Sequence, residues 1–141
     1  MSELLGGLQD RTFARATAAT AISYPPERRL SAAQLASYLD RRAFAVIGTT
    51  RADGRPHAAM SVYIRRGTTF WLPTMAGSVR ERNLRGTPWL TMVIAEGPAE
   101  VVTPPEVPAD VLSAVTGDWV SEWVCLTAER LLSYADESAL P

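Results

Sequence analysis

The 141-residue chain contains no lysine, a single cysteine and a single histidine, and each scarcity removes a class of chemistry. Without lysine there is no Schiff base with pyridoxal phosphate or a carbonyl substrate. Cys125 alone excludes an intrachain disulfide, and with His57 it leaves no soft-metal ligand set for a structural zinc. No nucleophile, base and orienter can be assembled from such a set, which disfavours hydrolysis and acyl transfer. Apolar runs approaching the roughly 20 residues of a membrane span are absent too. So is a basic leader followed by an apolar run and a small-residue cleavage site, and the expected compartment is the cytoplasm.

The net charge of −1 and a pI near 5.8 give no global field for nucleic acid or an anionic membrane surface, so any anion site must be local. All fourteen basic residues are arginines, which keep their charge and fork onto phosphate. The length suits one domain with a sizeable core. An apolar content of 47% and a charged content of 21% are ordinary for a globular protein.

The residues present read as a mainly β chain. Residues 1–28 form an N-terminal arm, weakly amphipathic and broken by Pro25-Pro26, which could pack on a partner subunit or fray. Residues 29–141 form the main domain. Ser31-Ala32-Ala33-Gln34 fits a capping box, with Leu35, Tyr38 and Leu39 on one face of the helix it starts, predicted over 31–42. Strands are predicted over 44–50, 57–65, 68–73, 89–95, 99–102, 122–127 and 130–134, with turns at Ala52-Asp53-Gly54 and Arg66-Gly67. Gly97-Pro98 is read as closing the fourth strand. A helix of at most two turns is expected over 109–115. Six or seven short strands favour a closed or split antiparallel barrel.

Period-two alternation puts Met60, Val62 and Ile64 on one side, taken as the core side, and Ser61, Tyr63 and Arg65 on an outer, half-polar side. Residues 79–84 suit a short helix with Ser78 at its N-cap, after Thr74-Met75-Ala76-Gly77. Arg80, Arg82 and Arg85 on that helix are either a solvated face or part of an anion site; the preceding serine and glycine favour the latter. His57 reads as a surface or hydrogen-bonded residue and is assigned no catalysis. Cys125 reads as a small core side chain. Trp119 and Trp123 share a helical face or anchor an interface.

Asp53-Gly54-Arg55-Pro56-His57 between two strands, a third strand, and Gly77-Ser78-Val79-Arg80-Glu81-Arg82-Asn83-Leu84 together resemble the FMN-binding split barrels related to pyridoxamine 5′-phosphate oxidase. That superfamily includes the flavin/deazaflavin oxidoreductases. The resemblance covers 43–95, and Ala128-Glu129-Arg130-Leu131-Leu132-Ser133-Tyr134 resembles the family's last strand. It implies an antiparallel split β-barrel that forms a homodimer with two equivalent cofactor sites at the interface. By the same resemblance Met60, Ser61 and Val62 lie beside the isoalloxazine, Thr74 and Ser78 bind the ribityl-phosphate end, and Arg80 with Asn83 holds the phosphate.

Arg80 stands where many members have lysine, a change that preserves charge and adds bidentate geometry. The stretch 106–119 is shorter than in many relatives, which bears on the outer wall of the pocket. The expected function is an oxidoreductase using FMN on a small-molecule substrate, because the cofactor carries hydride or electron transfer and a sparse site suffices. A reductase using the deazaflavin coenzyme F-420 is the near alternative. A flavin-binding or storage protein without turnover and a single-stranded nucleic-acid-binding barrel are the others, the last opposed by the charge balance.

Overall fold

A computed structural model describes residues 2–41, 44–92 and 95–133. Residue 42 of the predicted helix, residues 93 and 94 of the predicted fourth strand and Tyr134 of the last strand lie outside them.

Ser31 opens its helix as expected. The Gln34 N–H donates to Ser31 Oγ at 3.3 Å and the Ser31 N–H to Gln34 Oε1 at 2.7 Å, a reciprocal cap that satisfies two amides with no intrahelical partner. This helix, α3 (Ala32–Arg41), buries Leu35 and Leu39 against α1 (Ser2–Ala14), which presents Leu5 and Leu8. The two helices approach closely at Gly6, where a Cβ would lie 2.8 Å from the Ala32 Cβ. A short α2 (Ala18–Ser23), capped by Thr17, lies between them in sequence.

The N-terminal segment therefore contributes to its own chain's core, and polar ties reinforce it. Gln9 Nε2 donates to the Leu30 carbonyl at 2.8 Å, the Ser133 hydroxyl bonds to Gln9 Oε1, and the Leu131 N–H donates to Thr12 Oγ1 at 3.1 Å. Each of these links the first helix to residues more than twenty positions away.

Eight strands follow α3 or flank the later helices: β1 (Phe44–Thr50), β2 (Pro56–Val62), β3 (Ile64–Arg66), β4 (Thr69–Thr74), β5 (Trp89–Met92), β6 (Ala95–Val102), β7 (Glu122–Thr127) and β8 (Arg130–Leu131). Every ladder among them is antiparallel. Their order is β2-β1-β5-β6-β7-β4-β3, with β8 added on β6. The two ends of that path, β2 and β3, are separated in sequence by Tyr63 alone. A sheet whose opposite edges are consecutive in the chain must curl back on itself, and the result is the split barrel.

β6 makes the split. Its residues 95–98 pair with β5 and its residues 99–102 pair with β7, so one strand passes from one half-sheet to the other. Gly97-Pro98 lies inside this strand and does not close one, contrary to expectation. Gly97 is where the chain is most crowded: a Cβ there would sit 2.1 Å from the Thr127 carbonyl oxygen, so the strand can bend past β7 only with glycine.

Phe70, Leu72, Ile47, Leu90, Val124, Leu126 and Leu131 fill the barrel with exposures of 1% or less. A second cluster of Val102, Val107, Val111 and Trp123 lies under α5 (Ala109–Ala114), which Asp110 ties to β3 through Arg66 at 2.7 Å. Trp119 and Trp123 share no helix: Trp123 is buried in β7, while Trp119 is exposed outside any helix or strand.

The faces of the second strand are the reverse of those expected. Met60 is 64% exposed, whereas Ser61 and Tyr63 are buried at 8% and 7%. Both faces carry apolar side chains, so alternation alone did not choose the inner one. Tyr63 packs edge-to-face on Phe70 with ring centres 5.6 Å apart, and its hydroxyl donates to the Leu39 carbonyl at 2.7 Å, so the polar tip of an inward ring is satisfied. The strand also breaks at Tyr63, which sends Ile64 into β3 and the second cluster.

Candidate functional site

The turn between β4 and α4 (Val79–Gly86) carries the polar groups that the sequence singles out. Gly77 adopts φ +78° in open space, a left-handed conformation that reverses the chain ahead of the helix. Ser78 then caps α4, its hydroxyl accepting from the Glu81 N–H at 3.3 Å. The Glu81 carboxylate reaches back to the Gly77 N–H at 2.6 Å, and the Ala76 N–H donates to Ser121 Oγ at 2.8 Å. The turn is held at three points before any ligand is considered.

From this helix Arg80 reaches back over the end of the barrel. Its Nη1 lies 3.1 Å from Ser61 Oγ, 3.4 Å from the Pro73 carbonyl and 3.4 Å from Thr74 Oγ1. Thr74 is 2% exposed and donates its own proton to the Leu72 carbonyl, while Ser61 donates to the Val62 carbonyl at 2.9 Å. Both hydroxyls are therefore oriented as acceptors toward the guanidinium.

All three partners are neutral. Among the described residues Arg80 forms no ion pair with a carboxylate, in contrast to Arg65, which grips Asp40 with two bonds, Arg66, Arg85 and Arg130. Burial pulls the Arg80 guanidinium below its usual pKa. A charge withdrawn from water with no opposite charge beside it carries a desolvation penalty that an anion would offset.

The structure thus gathers Ser61, Thr74, Ser78 and Arg80 at one end of the barrel, with Val62 half-buried next to them in sequence. Met60 points outward. Asn83 is buried and donates from Nδ2 to Thr49 Oγ1 at 3.0 Å, so it faces β1. Asn83 and Arg82 also line a cleft of ≈400 Å³ beside the 51–55 turn, where Arg51 and Arg55 stand with Asp53.

Sequence reasoning missed Thr49, the Pro73 carbonyl, Ser121 and the pair Glu81 and Glu122. Thr49, the Pro73 carbonyl, Ser121 and Glu122 act through contacts that the fold makes, whereas Glu81 stands three residues after the capping Ser78, a local signal that the sequence does carry.

Antiparallel half-sheets joined by one shared strand define a split barrel, with a capped helix and a cluster of polar side chains around Arg80 at its end. A family model described as pyridoxamine 5′-phosphate oxidase matches residues 31–137, and the chain belongs to that family. No curated protein matches the chain.

Solved structures share the fold at low identity. A conserved hypothetical protein from Mycobacterium tuberculosis is 21% identical with a TM-score of 0.65, covering 84% of this chain and 93% of its own. A protein of Clostridium acetobutylicum related to general stress protein 26, of the pyridoxinephosphate oxidase family, is 13% identical with a TM-score of 0.55, covering 77% and 96%. The heme storage protein HutZ of Vibrio cholerae is 12% identical with a TM-score of 0.54, covering 74% and 90%.

Proposed function

We propose that the protein is a flavin-dependent oxidoreductase that binds FMN with the phosphate at Arg80. The observation that carries this reading is the half-buried guanidinium that meets only neutral oxygens among the described residues, at the start of a helix whose first turn follows a glycine and a capping serine. A phosphate fits that place for two reasons. The fork of Arg80 offers a charge-assisted, bidentate contact, and amides at a helix start favour negative charge.

In this reading Thr74 and Ser61 hold Arg80 in place, and Ser78 fixes the helix that carries it. Met60, Ser61 and Val62 border the ring, and Asn83 keeps α4 seated on β1. The bound flavin supplies hydride or electron transfer; the chain supplies position, phosphate grip and an apolar surface.

A homodimer completes the site in the same reading. Phe44, Val46 and Met60 are exposed at 59%, 45% and 64%. Phe44 pairs with Val62 and Val46 with Met60 across β1 and β2, so these side chains share one face. A second copy would cover that face and enclose the ring end of the cofactor.

The test is reconstitution. The purified chain incubated with FMN and passed through a desalting column is expected to retain visible absorption at about one flavin per chain and to lose it on reduction by a chemical donor. Elution without bound flavin would overturn the proposal, and retention of a deazaflavin in place of FMN would select the coenzyme F-420 alternative.

A further inference from the structure

Behind the turn that holds Arg80, two glutamates meet. Glu122 is the cross-strand partner of Thr74, so the two side chains stand on the same face of the sheet, and α4 lays Glu81 and Arg85 over that face. Glu122 Oε2 is buried and has no donor, the sole buried side-chain oxygen or nitrogen among the described residues without one. The Glu81 carboxylate, another acceptor, stands beside it on the same Arg85 guanidinium. Arg85 serves both, at 3.1 Å from Glu81 Oε1 but only 3.7 Å from Glu122 Oε1. One guanidinium cannot satisfy two carboxylates at those distances, and a proton placed between them supplies the missing donor.

We propose that Glu81 and Glu122 share one proton and act as positioning residues, a clasp that fixes α4 and the 74–78 turn on β7. The clasp holds the turn directly, because Glu81 also accepts from the Gly77 N–H, and the neighbouring Ser121 hydroxyl accepts from Ala76. A role for the clasp in supporting an anion site rests on the function proposed above; the shared proton does not.

Among the described residues, the strands packed against the pair offer no rival carboxyl. β1 and β4 carry no charged residue. Of the acids on β6, Glu96 is taken by Arg130, and Glu100 lies opposite Cys125. Arg80 on α4 is directed to Ser61 and Thr74. Burial and then Glu81 push the Glu122 carboxyl up, while the Gly77 amide and Arg85 hold the Glu81 carboxyl down, the split expected of a pair sharing one site.

The sign follows. Glu122 keeps its proton to higher pH when folded than when unfolded, so the stability it contributes is present at low pH and is lost as pH rises through its folded-state value. Glu81 is ionised in both states above the ordinary carboxylate range and adds no slope there.

Urea unfolding of the full chain from about pH 4.5, just above the ordinary glutamate value, to about pH 8.5, with no ligand present, tests this on wild type and Glu122→Gln. Relative to the variant, the wild-type unfolding constant is expected to rise with pH by up to about tenfold per unit, the limit for one proton. Parallel profiles would overturn the clasp.

Should Glu122→Gln fail to fold, carbon-13 NMR of the wild-type carboxyls decides. One glutamate titrating above the usual range supports the clasp, and all glutamates titrating within or below that range contradict it. Because neither readout contains flavin, the clasp and the phosphate site can fail independently.

Discussion

Arg80 remains charged at any pH the protein meets, yet among the described residues only two hydroxyls and a carbonyl answer that charge. A hydrogen bond to a charged group contributes about 1.5–3 kcal/mol, so Arg80→Ala is expected to weaken FMN binding roughly 10–150-fold by calorimetry. Arg130 is the natural control. It carries the same charge, but it is spent on Glu96 at 2.7 Å on an exposed surface, and Arg130→Ala is expected to change FMN affinity by less than about threefold, the range typical of surface pairs. Indistinguishable losses in the two variants would show that the phosphate lies elsewhere. The sequence distinguished these arginines through local context: Arg80 follows a glycine and a serine at a helix start. It could not show that Asn83 turns to Thr49, since that choice depends on how α4 lies against β1.

Elements with local punctuation were legible. The Ser31 capping box located α3, Gly54 with φ +86° located the β1–β2 turn, and the boundaries of β1 and β7 follow the apolar runs. Elements whose character depends on distant partners were not. β6 runs through Gly97-Pro98 because the Thr127 carbonyl leaves room only for glycine, a constraint written in β7 and invisible in β6. The inward side of β2 carries Ser61, and Tyr63 just beyond it turns inward onto Phe70 with its hydroxyl on the Leu39 carbonyl, contacts that distant elements supply. The first helix is the sharpest case, because its weak amphipathic pattern conceals a fully buried Leu5. Leu5→Ala is expected to lower the unfolding free energy by about 2–5 kcal/mol in urea titration. A change below about 0.5 kcal/mol, typical of a surface substitution, would place α1 outside the core.

At the scale of the molecule, a sheet whose two edge strands are joined through Tyr63 leaves the outer face of β1 and β2 uncovered by its own helices. Phe44, Val46 and Met60 stand on that face, and light scattering at micromolar concentration is expected to give the mass of a dimer. Met60→Arg should shift the mass toward the monomer by setting like charges against each other across the two-fold; a wild-type monomer would refute this interface.

Recognition of a phosphate by the barrel's end is tested by a fluorescence titration of wild-type protein with FMN and with riboflavin, which differ in that group. FMN is expected to bind at least about tenfold more tightly, equivalent to about 1.4 kcal/mol, with the preference collapsing in Arg80→Ala. Equal affinities of the wild-type protein for the two flavins would contradict it.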